Sequence, residues 1–222
     1  MRRLRQASQI LFLALFVYLL FVAYQGRVAH PWTDLFFRLN PLAALSAMIA
    51  ARAWIPRLGL ALVTVAVTLV VGRVWCGWLC PMGTLLEWLR FKRARELTLP
   101  LSPRWRTVKY ILLFGIVFAA LWGNLTLMLL DPIALVTRTM TTAVLPALNH
   151  AITRAEMALY PLRFFGVRLF QAPVNLLERA LRGPVLPLVE YAFAANVAIA
   201  ALFGVAVGLN ALAERFWCRY LC

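Results

Sequence analysis

The chain holds four cysteines, and all of them fall in two short frames. The first is Arg73-Val-Trp-Cys76-Gly-Trp-Leu-Cys80, and the second is Arg215-Phe-Trp-Cys218-Arg-Tyr-Leu-Cys222. On an α-helix, positions i and i+4 share a face and stand about 6 Å apart along the axis. Two thiols so placed can ligate one metal centre, or cycle between dithiol and disulfide. Pro81 follows Cys80, so Cys76-x3-Cys80-Pro81 repeats the closing step of the bacterial ferredoxin run C-x2-C-x2-C-x3-C-P, without its earlier C-x2-C steps. Two copies supply four thiolates, the number an iron–sulfur cluster takes. Thiol–disulfide chemistry, zinc binding and inert core cysteines stay open as alternatives. The inert reading leaves the shared Arg-x-Trp-Cys-x-aromatic-Leu-Cys frame without a cause. A stable structural disulfide is disfavoured if the frames face a reducing compartment.

The residues around the thiols invite roles of their own. Trp75, Trp78, Trp217 and Tyr220 read as the aromatic belt of a membrane interface, with a redox role as the lesser reading. Arg73 and Arg215 occupy equivalent positions and read as snorkelling anchors. A cation beside a thiolate cluster would also raise its potential by stabilising the added electron. Gly72, Gly77 and Gly83 read as sites of close backbone approach. The two histidines, His30 and His150, fall in connections outside the apolar blocks, which argues against an intramembrane haem held by histidine. Asp34, His30 and Asp131 read as solvated loop residues, with proton release from a quinol as the alternative.

The elements that would position these frames follow from the charge pattern. No charged residue occurs between Arg5 and Arg27, between Lys109 and Asp131, or between Glu190 and Glu214. Each block reaches the roughly 20 residues that cross a bilayer core as a helix. The block between Arg57 and Arg73 is shorter, but both arginines can snorkel and extend it. The expectation is an all-α, polytopic membrane protein with four spans at about 8–25, 57–75, 109–130 and 190–213. The start Met1-Arg-Arg-Leu-Arg followed by an apolar run reads as an uncleaved first span rather than a signal peptide, since no small-x-small site follows.

The net charge of +15 does not call for nucleic acid. Basic residues flanking spans set orientation and meet anionic headgroups, and no soluble stretch is long enough for a separate nucleic-acid-binding domain. The densest basic stretch, Arg90–Lys109, places that loop, the N-terminus and both cysteine frames on the cytoplasmic side. A fifth span at Leu42–Ile55 would be only about 14 residues and would move that loop outside, so it reads as a re-entrant or interfacial helix.

The chain also repeats itself. Span, Asn40-Pro41-Leu-Ala, span and cysteine frame are followed by span, Asp131-Pro132-Ile-Ala, span and cysteine frame. Asn or Asp before Pro starts a helix, because the side chain caps and Pro suits the first helical position. Two units follow: 1–107, with the first frame and the basic loop, and 108–222, with the second. Both run in-out-in, so the repeat is parallel, about an axis along the membrane normal. The second unit carries an outer insertion, 136–187, which Pro146, Pro161, Pro173 and Pro184 divide into short pieces. One piece is amphipathic, with Leu148, Ile152 and Leu159 opposite Asn149, Arg154 and Glu156. A second, around Phe164–Phe170, reads as an interfacial helix. Together they read as a lid lying on the outer membrane surface.

The sequence from Gly72 to Gly83, with Arg215–Cys222, resembles the membrane iron–sulfur family of NapH- and NosR-type proteins. These are ferredoxin-type electron-transport subunits of periplasmic nitrate and nitrous-oxide reduction. The resemblance implies a bacterial or archaeal inner-membrane protein that passes electrons between the quinone pool, or a membrane partner, and [4Fe-4S] centres at the cytoplasmic face. It implies Cys76, Cys80, Cys218 and Cys222 as cofactor and metal ligands, with redox proteins as partners. In that family the second motif continues as Cys-Pro and a ferredoxin domain follows, so the expectation includes such a domain after residue 222. A non-catalytic anchor for that domain and a membrane thiol–disulfide oxidoreductase are the competing functions.

Overall fold

A computed structural model describes residues 2–24, 32–72, 75–89, 105, 107–159, 194–213 and 215–222. The side chains of Arg2, Tyr24, Cys76 and Leu159 fall outside that description. Every regular element among these residues is helical, so the fold is all-α. It opens with α1 (Arg2–Tyr24), then α2 (Leu35–Arg38), α3 (Pro41–Ala51) and α4 (Leu60–Val71) behind a 3-10 turn at Pro56–Gly59. The first cysteine frame follows as a π-turn, Trp75–Leu79, and leads into α5 (Pro81–Trp88). The second half contains α6 (Val108–Leu121), α7 (Pro132–Thr139), α8 (Leu145–Leu159) and α9 (Asn196–Gly208). It closes on a second π-turn, Trp217–Leu221.

Helices stand where the apolar blocks are, but they are shorter than the blocks. Among the described residues, only α1, over Arg3–Ala23, is both long and apolar enough to cross a membrane by itself. Shorter apolar helices occupy Pro41–Ala51, Pro56–Val71, Val108–Leu121 and Asn196–Ala211. Their ends have local causes. Gly72 has φ +77 and stops α4, where continuation to 75 was expected. Gly123, at φ +73, follows α6, and the N–H groups of Gly123 and Asn124 bond back to Ala120 and Ala119. That is a Schellman end, which satisfies the last carbonyls and turns the chain before Leu130. Arg52 ends α3 in the same way at φ 51, a left-handed conformation more often given to glycine.

Pro146 does not break the insertion at that point. The helix runs without a gap from Pro132 to Leu159, through a third π-turn at Met140–Val144. A proline ring clashes with the carbonyl four residues back, and the wider π-turn includes that residue, Thr142. The expected amphipathic faces hold in part, with Arg154 exposed and Ile152 half-buried, but they reverse at one pair. Asn149 is 1% exposed while Leu148 is 47% exposed, so α8 packs inward through its amide. The expected interfacial helix near 164–170 and the basic loop from 90 to 104 lie outside the described residues.

The larger of two apolar clusters among the described residues is drawn from both halves. Phe16, Leu19 and Leu20 of α1, Met82 and Leu86 of α5, Ile133, Leu135 and Val136 of α7, and Trp217 meet in it. Helix α5 packs on both α1 and α7, and so carries the first cysteine frame into the middle of the molecule. Each cysteine π-turn packs against the opening helix of its own half, the first on α1 and the second on α6.

Candidate iron–sulfur site

From Trp75 to Cys80 and from Trp217 to Cys222 the two frames adopt the same backbone pattern, and it is not the α-helix the spacing suggested. The Cys80 N–H donates to the Trp75 carbonyl and the Cys222 N–H to the Trp217 carbonyl, each at 3.0 Å. These i→i+5 bonds make π-turns, rare elements that concentrate at functional sites. Cys80 then caps α5 with Pro81 in the first turn, and its carbonyl accepts from the Thr84 N–H and hydroxyl. Cys80 is buried, Cys218 half-buried and Cys222 exposed. Cys80 belongs to the apolar core, and Cys218 and Trp75 pack against that same core.

The two frames are tied together by a polar network that sequence reasoning missed. Glu87 of α5 accepts hydrogen bonds from Arg5 of α1 and Arg215 of the second frame, forming an ion pair with each. Gln9 Nε2 donates to Glu87 Oε2 at 2.6 Å and to the Gly77 carbonyl of the first frame at 2.8 Å. A Cβ placed on Gly77 would meet Arg215 Nη1 at 3.9 Å, so the second frame's arginine lies beside the first frame's backbone. Asn210 completes the set. Its Nδ2 donates to the Leu86 carbonyl at 2.7 Å, and its Oδ1 accepts from the Arg215 N–H at 2.7 Å. Burial pushes Glu87 up, but the Gln9 hydrogen bond and the charges of Arg215 and Arg5 outweigh it and hold the carboxyl below its ordinary range. Polar residues at helical spacing at the two ends of a charge-poor chain were the available signal, but nothing in the spacing says that positions 5, 9, 87 and 215 meet.

Several sequence readings are corrected here. Arg215 is no snorkelling anchor: its side chain is 27% exposed and bound to Glu87. Trp217 and Tyr220 are 3% and 6% exposed, so they pack inside rather than form a surface belt. Gly72 serves a positive φ with open space around it, not a close approach. Asp131 is no solvated loop residue. It is 4% exposed, and its Oδ2 accepts from Asn40 Nδ2 at 2.9 Å and from the Ala134 N–H at 3.0 Å. Asn40 caps α3 and Asp131 caps α7, so the equivalent starts of the two halves touch. Asp131 lies just past the expected span, and its burial pushes the carboxyl upward against the bonds from Asn40 and the Ala134 backbone. Asp34, by contrast, is largely exposed and pairs with Arg38 at 2.7 Å.

A cleft of about 240 Å³ connects the second frame with this buried carboxylate. Cys222 and Leu221 line one part, Asp131 and Pro132 another, and Tyr110, Leu113 and Ile116 of α6 form a wall.

The donor set has the number and type of ligands that a cubane cluster takes, on two turns of the same backbone hydrogen-bond pattern. Among the described residues, no three His, Cys, Asp or Glu side chains stand together as a metal site, and the Cys76 side chain is outside that set. Comparison with known proteins bears directly on the frames. No curated protein and no solved structure matches the chain. Residues 53–100 and 195–222 do match the family model of a 4Fe-4S binding domain, one stretch containing Cys76 and Cys80 and the other Cys218 and Cys222. Over those two separated pieces the chain is thus similar to a 4Fe-4S binding domain.

Proposed function

We propose that this chain is a membrane electron-transfer protein in which Cys76, Cys80, Cys218 and Cys222 ligate one [4Fe-4S] cluster at the cytoplasmic face. The observation that carries this reading is the joining of the two matched segments. The Glu87–Arg215 pair and the Gln9–Gly77 bond fasten the second cysteine frame to the first. Such a cluster takes up and gives back one electron. The protein's part is to supply thiolates from two rigid π-turns, to bury Cys80 against the core and to set Arg215 nearby as a fixed positive charge.

The membrane placement rests on the outward faces of the helices. Leu62, Leu69 and Val70 of α4 and Ile111, Phe114 and Phe118 of α6 all point away from the core and are exposed. Apolar surface of that extent belongs against lipid or another protein. In the four-span arrangement, α1 is joined by the shorter apolar helices α4, α6 and α9. The inner membrane of a bacterium or archaeon, the quinone pool and redox proteins are the matching location and partners. The cleft lined by Cys222 and Asp131 would suit a quinol headgroup, with the Asp131 carboxylate as acceptor for one of its two protons.

The test is anaerobic purification of the full chain with iron and sulfide analysis, followed by electron paramagnetic resonance on reduction. About four irons and four sulfides per chain are expected, with their loss in Cys80→Ser and Cys218→Ser. A wild-type protein with intact thiols and no iron overturns the cluster, and a redox-active disulfide in it establishes thiol–disulfide chemistry instead. Reduction of the centre by a quinol, abolished in Asp131→Ala, checks the cleft.

A further inference from the structure

Arg215 belongs to the second cysteine frame, yet two separate bonds fix it to the helix that follows the first. Its backbone N–H is held by Asn210, whose Nδ2 is in turn bonded to the Leu86 carbonyl. Its guanidinium is held by the next residue along α5, Glu87. The residue sits at φ 53, so the chain adopts a costly left-handed conformation to make this approach. Glu87 is itself fixed by Arg5 and by Gln9, and Gln9 also holds the Gly77 carbonyl. Without the carboxylate, Arg5 and Arg215 would face each other as like charges, and nothing else named here would hold the Arg215 side chain in place.

We propose that Glu87 is a positioning residue that pins the Arg215 guanidinium against the first cysteine frame, so that one cation from the second frame acts on both. This rests on the cluster reading above. A cation near the centre favours the reduced state, so Arg215 raises the potential. The carboxylate itself, as a bare negative charge, does the opposite. The two roles therefore predict opposite signs when Glu87 is neutralised.

The experiment compares full-length wild type, Glu87→Gln, Arg215→Gln and the double variant, purified anaerobically, by iron content and by redox titration of the centre. Positioning requires both single variants to lower the midpoint potential, and the double variant to fall no further than Arg215→Gln alone. A rise in Glu87→Gln, or additive shifts in the double, overturns it. If Glu87→Gln does not accumulate, Glu87→Asp keeps the charge one methylene short. It should then lower the potential in the same direction by less, and an unchanged value counts against the proposal. Iron-free wild type would sink the cluster reading alone. The clamp is then read from maleimide labelling of Cys218, resolved by mass spectrometry. The labelling rate should rise equally in both single variants and the double, and a rate equal to wild type in Glu87→Gln overturns the clamp.

Discussion

Glu87 joins three polar side chains of the site, Arg5, Gln9 and Arg215, and its protonation couples the stability of the chain to pH. Its folded carboxyl is held below the ordinary range by Gln9, Arg215 and Arg5 in spite of burial. A depressed carboxylate contributes stability that is present above its unfolded pKa and is lost as pH falls through the folded value. Glu87→Gln is therefore expected to unfold more easily than wild type at neutral pH, by about 1–3 kcal/mol for charged hydrogen bonds in a partly screened site. The gap should close once the pH drops beneath the usual glutamate range, as followed by thermal unfolding in detergent. A gap that persists at low pH would assign the effect to packing. The cysteines separate in the same way. Cys222 is exposed, so Cys222→Ser should change the stability of the iron-free chain by less than about 0.5 kcal/mol. The same change should abolish iron incorporation, and an unaltered iron content would remove Cys222 from the ligand set. The four thiols were legible as a set because spacing and context repeat. Glu87 was not, because its partners lie 78 to 128 positions away along the chain.

At the scale of elements, the caps were readable and the turns were not. Asn40-Pro41 and Asp131-Pro132 start α3 and α7 as their chemistry requires, since a side-chain oxygen and an N1 proline satisfy a helix start locally. Their mutual hydrogen bond is a tertiary fact that no local rule contains. Replacing either by Ala should cost about 0.5–2 kcal/mol. The double replacement should cost less than the sum, with a coupling of about 0.5–3 kcal/mol in a thermal or denaturant cycle. Strict additivity would mean that the caps act independently. The π-turns escaped the sequence because i, i+4 spacing suits an α-turn as well, and the fifth residue of the hydrogen bond carries no signature of its own. Pro146 was misread for a related reason: a proline breaks an α-helix but is accommodated beside a π-turn. Gly123 tests the helix ends. A methyl there meets open space but must adopt φ +73, so Gly123→Ala should lower stability by about 1–2 kcal/mol through backbone strain alone.

For the whole molecule, hydropathy located the helices and left their lengths open, since charge-free blocks continue through turns that need no charge to end a helix. The block from Lys109 to Asp131 contains α6, its Schellman end at Gly123 and a 3-10 turn at Thr126–Leu130. A 14-residue α-helix spans about 21 Å, short of the ~30 Å hydrocarbon core. The 3-10 turn does not lengthen that crossing, because Leu130 and Asp131 line the same cleft as Lys109 and Tyr110 at the start of α6, so a four-span arrangement requires the bilayer to thin around α6. The arrangement fixes sides for residues whose exposure is known. Trp54, between α3 and α4, would face outward, and Leu89, after α5, would face the cytoplasm with all four native cysteines. A membrane-impermeant maleimide applied to intact cells should then label Trp54→Cys and leave both wild type and Leu89→Cys unlabelled. Permeabilised cells should label Leu89→Cys as well. Wild type that labels from outside would put the cysteine frames on the opposite face and remove the cytoplasmic cluster. Labelling of Leu89→Cys from outside, with Trp54→Cys silent, would invert the whole chain.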